Sequence, residues 1–180
     1  MKLEKIIIGA FGFLAEDGAT IDENTVSIDA YPDVDPVENW ESIGCITEVT
    51  FETEKETDTD YCPDPNGGYA KVDTERVVRD IIKFKTKQAG EPFWRMQFGL
   101  KDKIVNATAQ TPFASKDRSI KFWFKCQGRA EDGADRVVMN VFGELSIDET
   151  PKWSKDPTKP GYKFEVINSS IATVEPDGIV

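Results

Sequence analysis

Oxygen donors of the kind a hard cation prefers crowd one stretch of the sequence, DTDYCPDPNGG at residues 58–68, which supplies Asp58, Asp60, Asp64 and Asn66. The spacing is not that of an EF-hand, because Tyr61 and Cys62 interrupt it and no glutamate closes it. A solvated, charged loop accounts for the same residues, and bound calcium stays open as the alternative. Elsewhere the chemical inventory is thin. The chain contains no histidine, which removes Ser-His-Asp and Cys-His catalysis and histidine-ligated metals. Cys45, Cys62 and Cys126 are odd in number, far apart and without C-x-x-C spacing, so neither a disulfide framework nor a cysteine-rich zinc site is indicated, and a reducing compartment is the default. A glycosidase needs only two carboxyl groups, but no Asp or Glu is singled out by its setting. Neither a phosphate-binding G-x-x-x-x-G-K-[ST] loop nor a dinucleotide fingerprint is present. The expectation is a non-enzyme with no metal and no cofactor.

Tryptophans are the other residues that make recognition surfaces. Trp123 is expected on the polar face of its strand beside Lys121 and Lys125, as a sugar platform or as a subunit-interface anchor, with Trp153 the second interface candidate.

The apolar periodicity supplies the frame for these residues. Strands are expected over 3–13, 25–31, 43–55, 75–88, 119–127, 135–147 and 161–174, the last with a slip of phase near Asn168, as a bulge would give. YPDVDP at 31–36 and PKWSKDPTKPG at 151–161 read as loops, and EDGAD at 131–135 as a hairpin turn. EPFWRMQFGL at 91–100, with a proline in its first turn and Gly99 near its end, reads as a short helix that lays Phe93, Met96 and Leu100 on the core. About seven antiparallel strands and one flanking helix, with no internal repeat or linker, imply a mainly β fold: a single β domain over 1–180, a β-sandwich or closed barrel.

A chain of 180 residues is long enough to bury a sizeable core without staples. The longest apolar run, IIIGAFGFLA at 6–15, is too short to cross a membrane as a helix and reads as a buried strand rather than a signal peptide. A net charge of −11 opposes a tight grip on nucleic-acid phosphates.

Between the strands 43–55 and 75–88 lies a polar hairpin excursion, about 54–72, rich in Glu and Asp and poor in large aliphatic residues. Alone it buries too little surface to offset the entropy of ordering it, so a neighbour is expected to order it. In an antiparallel pairing of the flanking strands, Lys83, Lys85 and Lys87 lie across from Glu48, Glu52 and Glu54 on one polar face.

The layout resembles that of the phage major tail tube proteins, to which the type VI secretion tube protein is related by fold. The resemblance rests on an N-terminal apolar arm, a Pro- and Trp-bearing loop (YPDVDPVENW), the strand SIGCITEVTFE with its W-x-x-I-G-x-I-x-x-V segment at 40–49, a long polar hairpin, the strand RVVRDIIKFKT, the EPFWRMQFGL helix and a final set of long strands. It implies a subunit of a homo-oligomeric ring, six copies to the ring, stacked into a hollow tube that conducts DNA without binding it specifically, located in a virion tail assembled in the bacterial cytoplasm. It also implies that the excursion reaches the next ring, with Glu54, Glu56, Asp58, Asp60, Tyr61, Asp64 and Tyr69 as contact residues, and that Glu48, Glu52, Lys83 and Lys85 are candidates to face the lumen. The alternative from the residues alone is a carbohydrate-binding or adhesion module.

Overall fold

The computed structural model describes residues 7–21, 24–30, 40–105, 108–130, 135–154 and 159–176. The elements run β1 (Ile7–Glu16), β2 (Thr20–Ile21), β3 (Asn24–Thr25), β4 (Glu41–Pro63), β5 (Tyr69–Thr86), α1 (Glu91–Phe98), β6 (Ser119–Ala130), β7 (Asp135–Glu149), β8 (Gly161–Ile167) and β9 (Thr173–Pro176). The main sheet is antiparallel in the order β6-β1-β4-β5-β8-β7-β9, and β6 pairs again with β7, so six strands close on themselves. Closure satisfies both edges of every strand in the ring over the paired segments, which removes the open-edge liability of a flat sheet. The apolar run expected to be a buried N-terminal strand is β1, held between β4 and β6.

Alternation fills the barrel. Phe84 of β5 stacks on Phe124 of β6 at 4.9 Å and on Tyr162 of β8 at 5.0 Å, and Leu14, Ile46, Leu145 and Phe164 complete the same cluster. Helix α1 covers the end where β1, β5 and β7 finish. Phe93 meets Tyr162 edge-on at 5.8 Å, Met96 joins the cluster, and the buried Arg95 bridges Glu16 at the end of β1 at 3.0 Å. Pro92 sits in the first turn and Gly99 closes the helix in the left-handed conformation (φ 55°), as a proline-start, glycine-stop helix should.

A second cluster lies outside the barrel wall and changes the reading of Trp123. Both faces of β6 are covered: Phe122, Phe124 and Cys126 point inward, while Trp123 packs outside the barrel wall with Phe142, Ala15, Val26 and Trp40. Trp123 is 0 % exposed and its indole N–H donates to the Ser27 carbonyl at 2.6 Å. It is therefore a core residue, neither a subunit-interface anchor nor a sugar platform. Its strand face looked polar in sequence because Lys125 flanks it, yet Lys125 is itself buried, with its ammonium 5.9 Å from the Trp40 ring. The covering segment is the one expected to be a strand at 25–31. It forms only the two-residue β3 and a Ser27–Ala30 bridge, because both edges of β1 are already taken.

The slip near Asn168 is a break, not a bulge. The chain leaves β8 after Ile167, buries Ser169 with its hydroxyl donating to the Ile28 carbonyl at 2.6 Å, and returns as β9 along the start of β7. The expected loop at 31–36 and most of the expected turn at 131–135 lie outside the described residues, as do 155–158 of the loop at 151–161.

Trp123→Ala should cost about 3–5 kcal/mol, the range for removing a large buried aromatic. Urea unfolding of the variant checks this; a midpoint unchanged from wild type would put Trp123 outside the core.

Candidate functional site

Beyond the barrel, β4 and β5 continue as a two-stranded ribbon paired from Ile46–Thr86 out to Pro63–Tyr69. β4 shares its other edge with β1 only as far as Ile46, and β5 shares its other edge with β8 only from Ile81, so among the described residues the outer ribbon is paired on one side alone. At about 3.3 Å per residue, Glu54 to Pro63 carries the tip roughly 30 Å from the body. The polar hairpin of the sequence is thus a hairpin whose arms are strands, with the turn confined to Asp64–Gly68. Gly67 and Gly68 supply the positive φ that the turn needs (94° and 101°), and the Asp64 carboxylate accepts from the Asn66 amide at 2.8 Å.

Cross-strand pairs link the two arms of this ribbon within one chain. Thr59 donates to Asp73 at 2.7 Å and Thr53 to Asp80 at 2.8 Å, while Lys55–Glu75, Arg76–Glu56 and Arg79–Glu54 close ion pairs at 3.1–3.3 Å. Each exposed pair contributes little by itself, and together they fix register. The Lys71 ammonium, then the Thr59 hydroxyl, hold the Asp73 carboxyl below its ordinary value.

Alternation sorts the ribbon into two faces. One carries Glu48, Glu52, Glu54 and Glu56, each paired with a base of β5, and then Asp58 and Asp60, which stand opposite Thr74 and Val72. Of the Lys83, Lys85 and Lys87 expected across from Glu48, Glu52 and Glu54, Lys83 meets Glu52 at 3.0 Å, and Lys85 meets Glu149 at 3.1 Å and Glu48 at 3.5 Å; Lys87 lies past the end of β5 and lines the groove beside α1, and Glu54 pairs with Arg79. Register places Lys85 opposite Glu48 but Lys83 opposite Thr50, so the second pair is diagonal. Glu149 is a partner that pairwise strand reasoning did not include, because it comes from the end of β7.

The other face continues the inner wall of the barrel. It begins with the Val49–Phe84 and Phe51–Ile82 pairs and runs out through Val77 to Tyr61 and Tyr69, which lie diagonally across the tip. Inside, Phe84 and Ile82 are buried; outside, Phe51 is 67 %, Val77 55 %, Tyr61 66 % and Tyr69 75 % exposed. Phe51, which sequence alternation had already placed on one face with Val49 and Cys45, and Val77 lie on this face without having been chosen as contact residues; Cys45 is not in the core cluster, because the register shift after Ile46 turns Ile46 inward in its place.

The opposite end of the barrel bears a second exposed aromatic surface. Trp94 and Phe98 of α1 stack at 5.8 Å, and Trp153, 78 % exposed, stands edge-on to both at 6.4 Å. Trp94, Trp153, Pro151, Pro160, Lys87 and Lys152 line a shallow groove there. Phe113 lies at the same helix end, donating its amide to the Phe98 carbonyl, with φ 59° and its ring exposed beneath Arg118. Among the described residues, no group of three or more Cys, Asp or Glu is placed to hold a metal ion, and no helix is long and apolar enough to cross a membrane.

No protein-family model matches the chain, and no curated protein matches it. Among solved structures the chain is similar to the anti-feeding prophage cap (AFP tube terminating cap), determined by cryo-electron microscopy, at 11% identity and a TM-score of 0.37 over 88% of this chain and 99% of that one. A likeness of that degree decides nothing about function.

The paired lysines set an alkaline limit. Glu52 holds the Lys83 ammonium above its ordinary value, and Glu149 does the same for Lys85. Their pairing stabilises the fold fully below the unfolded lysine value of about 10.4 and is lost as pH rises through the higher folded values. Burial pushes the Cys126 thiol from 9.0 up to about 11, so its contribution is whole below pH 9 and lost over that interval. The urea midpoint should therefore fall from about pH 9 upward, and Cys126→Ala should remove the earlier part of the fall. A midpoint flat across this range would contradict the assignment.

Proposed function

We propose that the protein is a structural, self-assembling subunit and not an enzyme: a building block of a hollow tube of stacked rings, of the phage tail kind, through which DNA passes without being held. The observation that carries the reading is the projecting β4–β5 ribbon, which offers solvent the exposed side chains of Phe51, Val77, Tyr61 and Tyr69, set among polar and charged pairs, and, among the described residues, two edges of backbone outside the sheet pairing. A monomer has no use for such an element and bears its association risk; an assembly covers it. Aromatic and apolar anchors at the centre of a polar surface are also the usual source of interface energy.

Polarity supports a tube. The ribbon leaves one end of the barrel and helix α1 closes the other, so a contact between the two ends of successive copies is heterologous and propagates instead of closing as a two-fold dimer. Rings, six-membered as in the proteins whose layout the sequence resembles, then stack in one direction. The charge pattern suits a DNA conduit. Glu48, Glu52, Lys83 and Lys85 neutralise one another where they would line the channel, so they neither grip phosphate nor add to the repulsion from the net charge of −11. In this setting the protein resides in a virion tail after assembly in the bacterial cytoplasm.

Replacing residues 57–75 with Asn-Gly joins Glu56 to Arg76, which already face each other, through a two-residue hairpin turn. The variant should keep the circular dichroism and urea midpoint of the barrel and sediment as a monomer, while the wild type gives rings or tubes by negative-stain microscopy. Wild type that stays monomeric at every concentration, or a variant that polymerises like wild type, would overturn the proposal.

A further inference from the structure

The two exposed aromatic surfaces lie at opposite ends of one molecule and differ in chemistry in a complementary sense. The ribbon tip is acidic in sum: Tyr61 and Tyr69 share one face with Lys71 and Asp73, Asp58 and Asp60 stand on the other face opposite the uncharged Thr74 and Val72, and Asp64 opens the turn between the arms. The groove at the α1 end is lined by Trp94, Trp153 and Pro151 together with the basic Lys87 and Lys152. Trp153 makes edge contacts to Trp94 and Phe98, and most of its ring meets solvent. A ring of this size packed against another aromatic is a usual interface anchor. The charges around it select an acidic partner and steer the encounter.

We infer that this groove is the receptor for the ribbon tip of a second copy of the chain, with Tyr61 and Tyr69 seated against Trp153 and Trp94, and Lys87 and Lys152 meeting the net negative charge of the tip. The inference rests on the assembly reading and deepens it, because it assigns the surface that receives the ribbon. A contact between a tip and a groove at opposite ends leaves each copy with one free tip and one free groove, so it repeats along an axis. Screening sets its salt dependence: the acidic–basic part weakens as the Debye length falls below about 8 Å above physiological ionic strength, and the aromatic part persists.

Cys62 lies beside Tyr61 near the tip and is exposed, whereas Cys126 is buried, which makes a native probe of the contact. The variant Ser154→Cys places a second thiol at the rim of the groove. Treated with a short bismaleimide under assembling conditions and analysed by mass spectrometry, it should give an intermolecular product that joins Cys62 of one copy to the introduced thiol of the next, in a ladder of dimers, trimers and longer species; the double variant C62S/S154C should lose the ladder. Trp153→Ser should weaken self-association roughly tenfold or more, the loss expected of an interface anchor. Protein that assembles by sedimentation but gives no such cross-link, or associates as tightly with W153S as without it, overturns the inference and leaves the assembly reading intact. Protein that never assembles overturns both.

Discussion

Strands β4 and β5 belong to two structures at once, and that sharing governs the rest of the molecule. Their inner halves are staves of the barrel, fixed by β1 on one side and β8 on the other. Their outer halves pair with each other alone among the described residues. The face that fills the barrel at Ile82 and Phe84 is carried outward through Phe51 and, past the register shift at Glu54/Lys55, through Val77 to Tyr61 and Tyr69, which are exposed. A slip of one residue would turn this face over, and barrel packing forbids it, since Phe84 sits between Phe124 and Tyr162. The barrel core therefore decides which side of the ribbon carries Phe51. Each of the two register shifts adds one unpaired residue, Thr47 in β4 and Val78 in β5, and re-phases that strand, so that Ile46 and Val49 both face the barrel and Val77 falls on the face of Phe51.

The same closure explains the polarity of the molecule. One barrel end is sealed by α1 through Phe93, Met96 and the Arg95–Glu16 bridge, and the chain that follows presents Phe113 and Trp153 around the helix. The other end extends into the ribbon. Phe113 adopts a left-handed backbone, which costs a non-glycine residue of order 1 kcal/mol or more, and its amide bond to the Phe98 carbonyl and the Arg118 guanidinium over its ring accompany that conformation at the helix end. Two unlike ends on one rigid wall are what directional stacking requires.

Much of this was legible in sequence where one alternation sufficed. The 43–55 and 75–88 strands, their pairing, the Glu48–Lys85 and Glu52–Lys83 contacts and the helix at 91–100 all follow from local period and turn chemistry. Trp123 was not legible, because a strand buried on both faces loses the alternation that marks its outside, and the segment covering it comes from more than ninety residues earlier in the chain. Nor was the length of the arm. Its stability arises from pairs such as Thr59–Asp73 and Arg76–Glu56, in which each partner alone looks like a loop residue. The groove at Trp94 and Trp153 joins a helix to a loop far along the chain and has no sequence period at all.

The account stands on the claim that the outer ribbon is folded in the free chain and becomes covered on assembly. Hydrogen exchange of dilute and assembled protein, resolved by residue, tests it most directly. In the dilute state the barrel segments 81–86 and 119–130 should be strongly protected and the ribbon from 47 to 80 only partly, through its single shared edge. On assembly the gain in protection should concentrate in that ribbon and around Trp94 and Trp153. A ribbon that exchanges identically in both states, with the gain elsewhere on the barrel, would contradict the account.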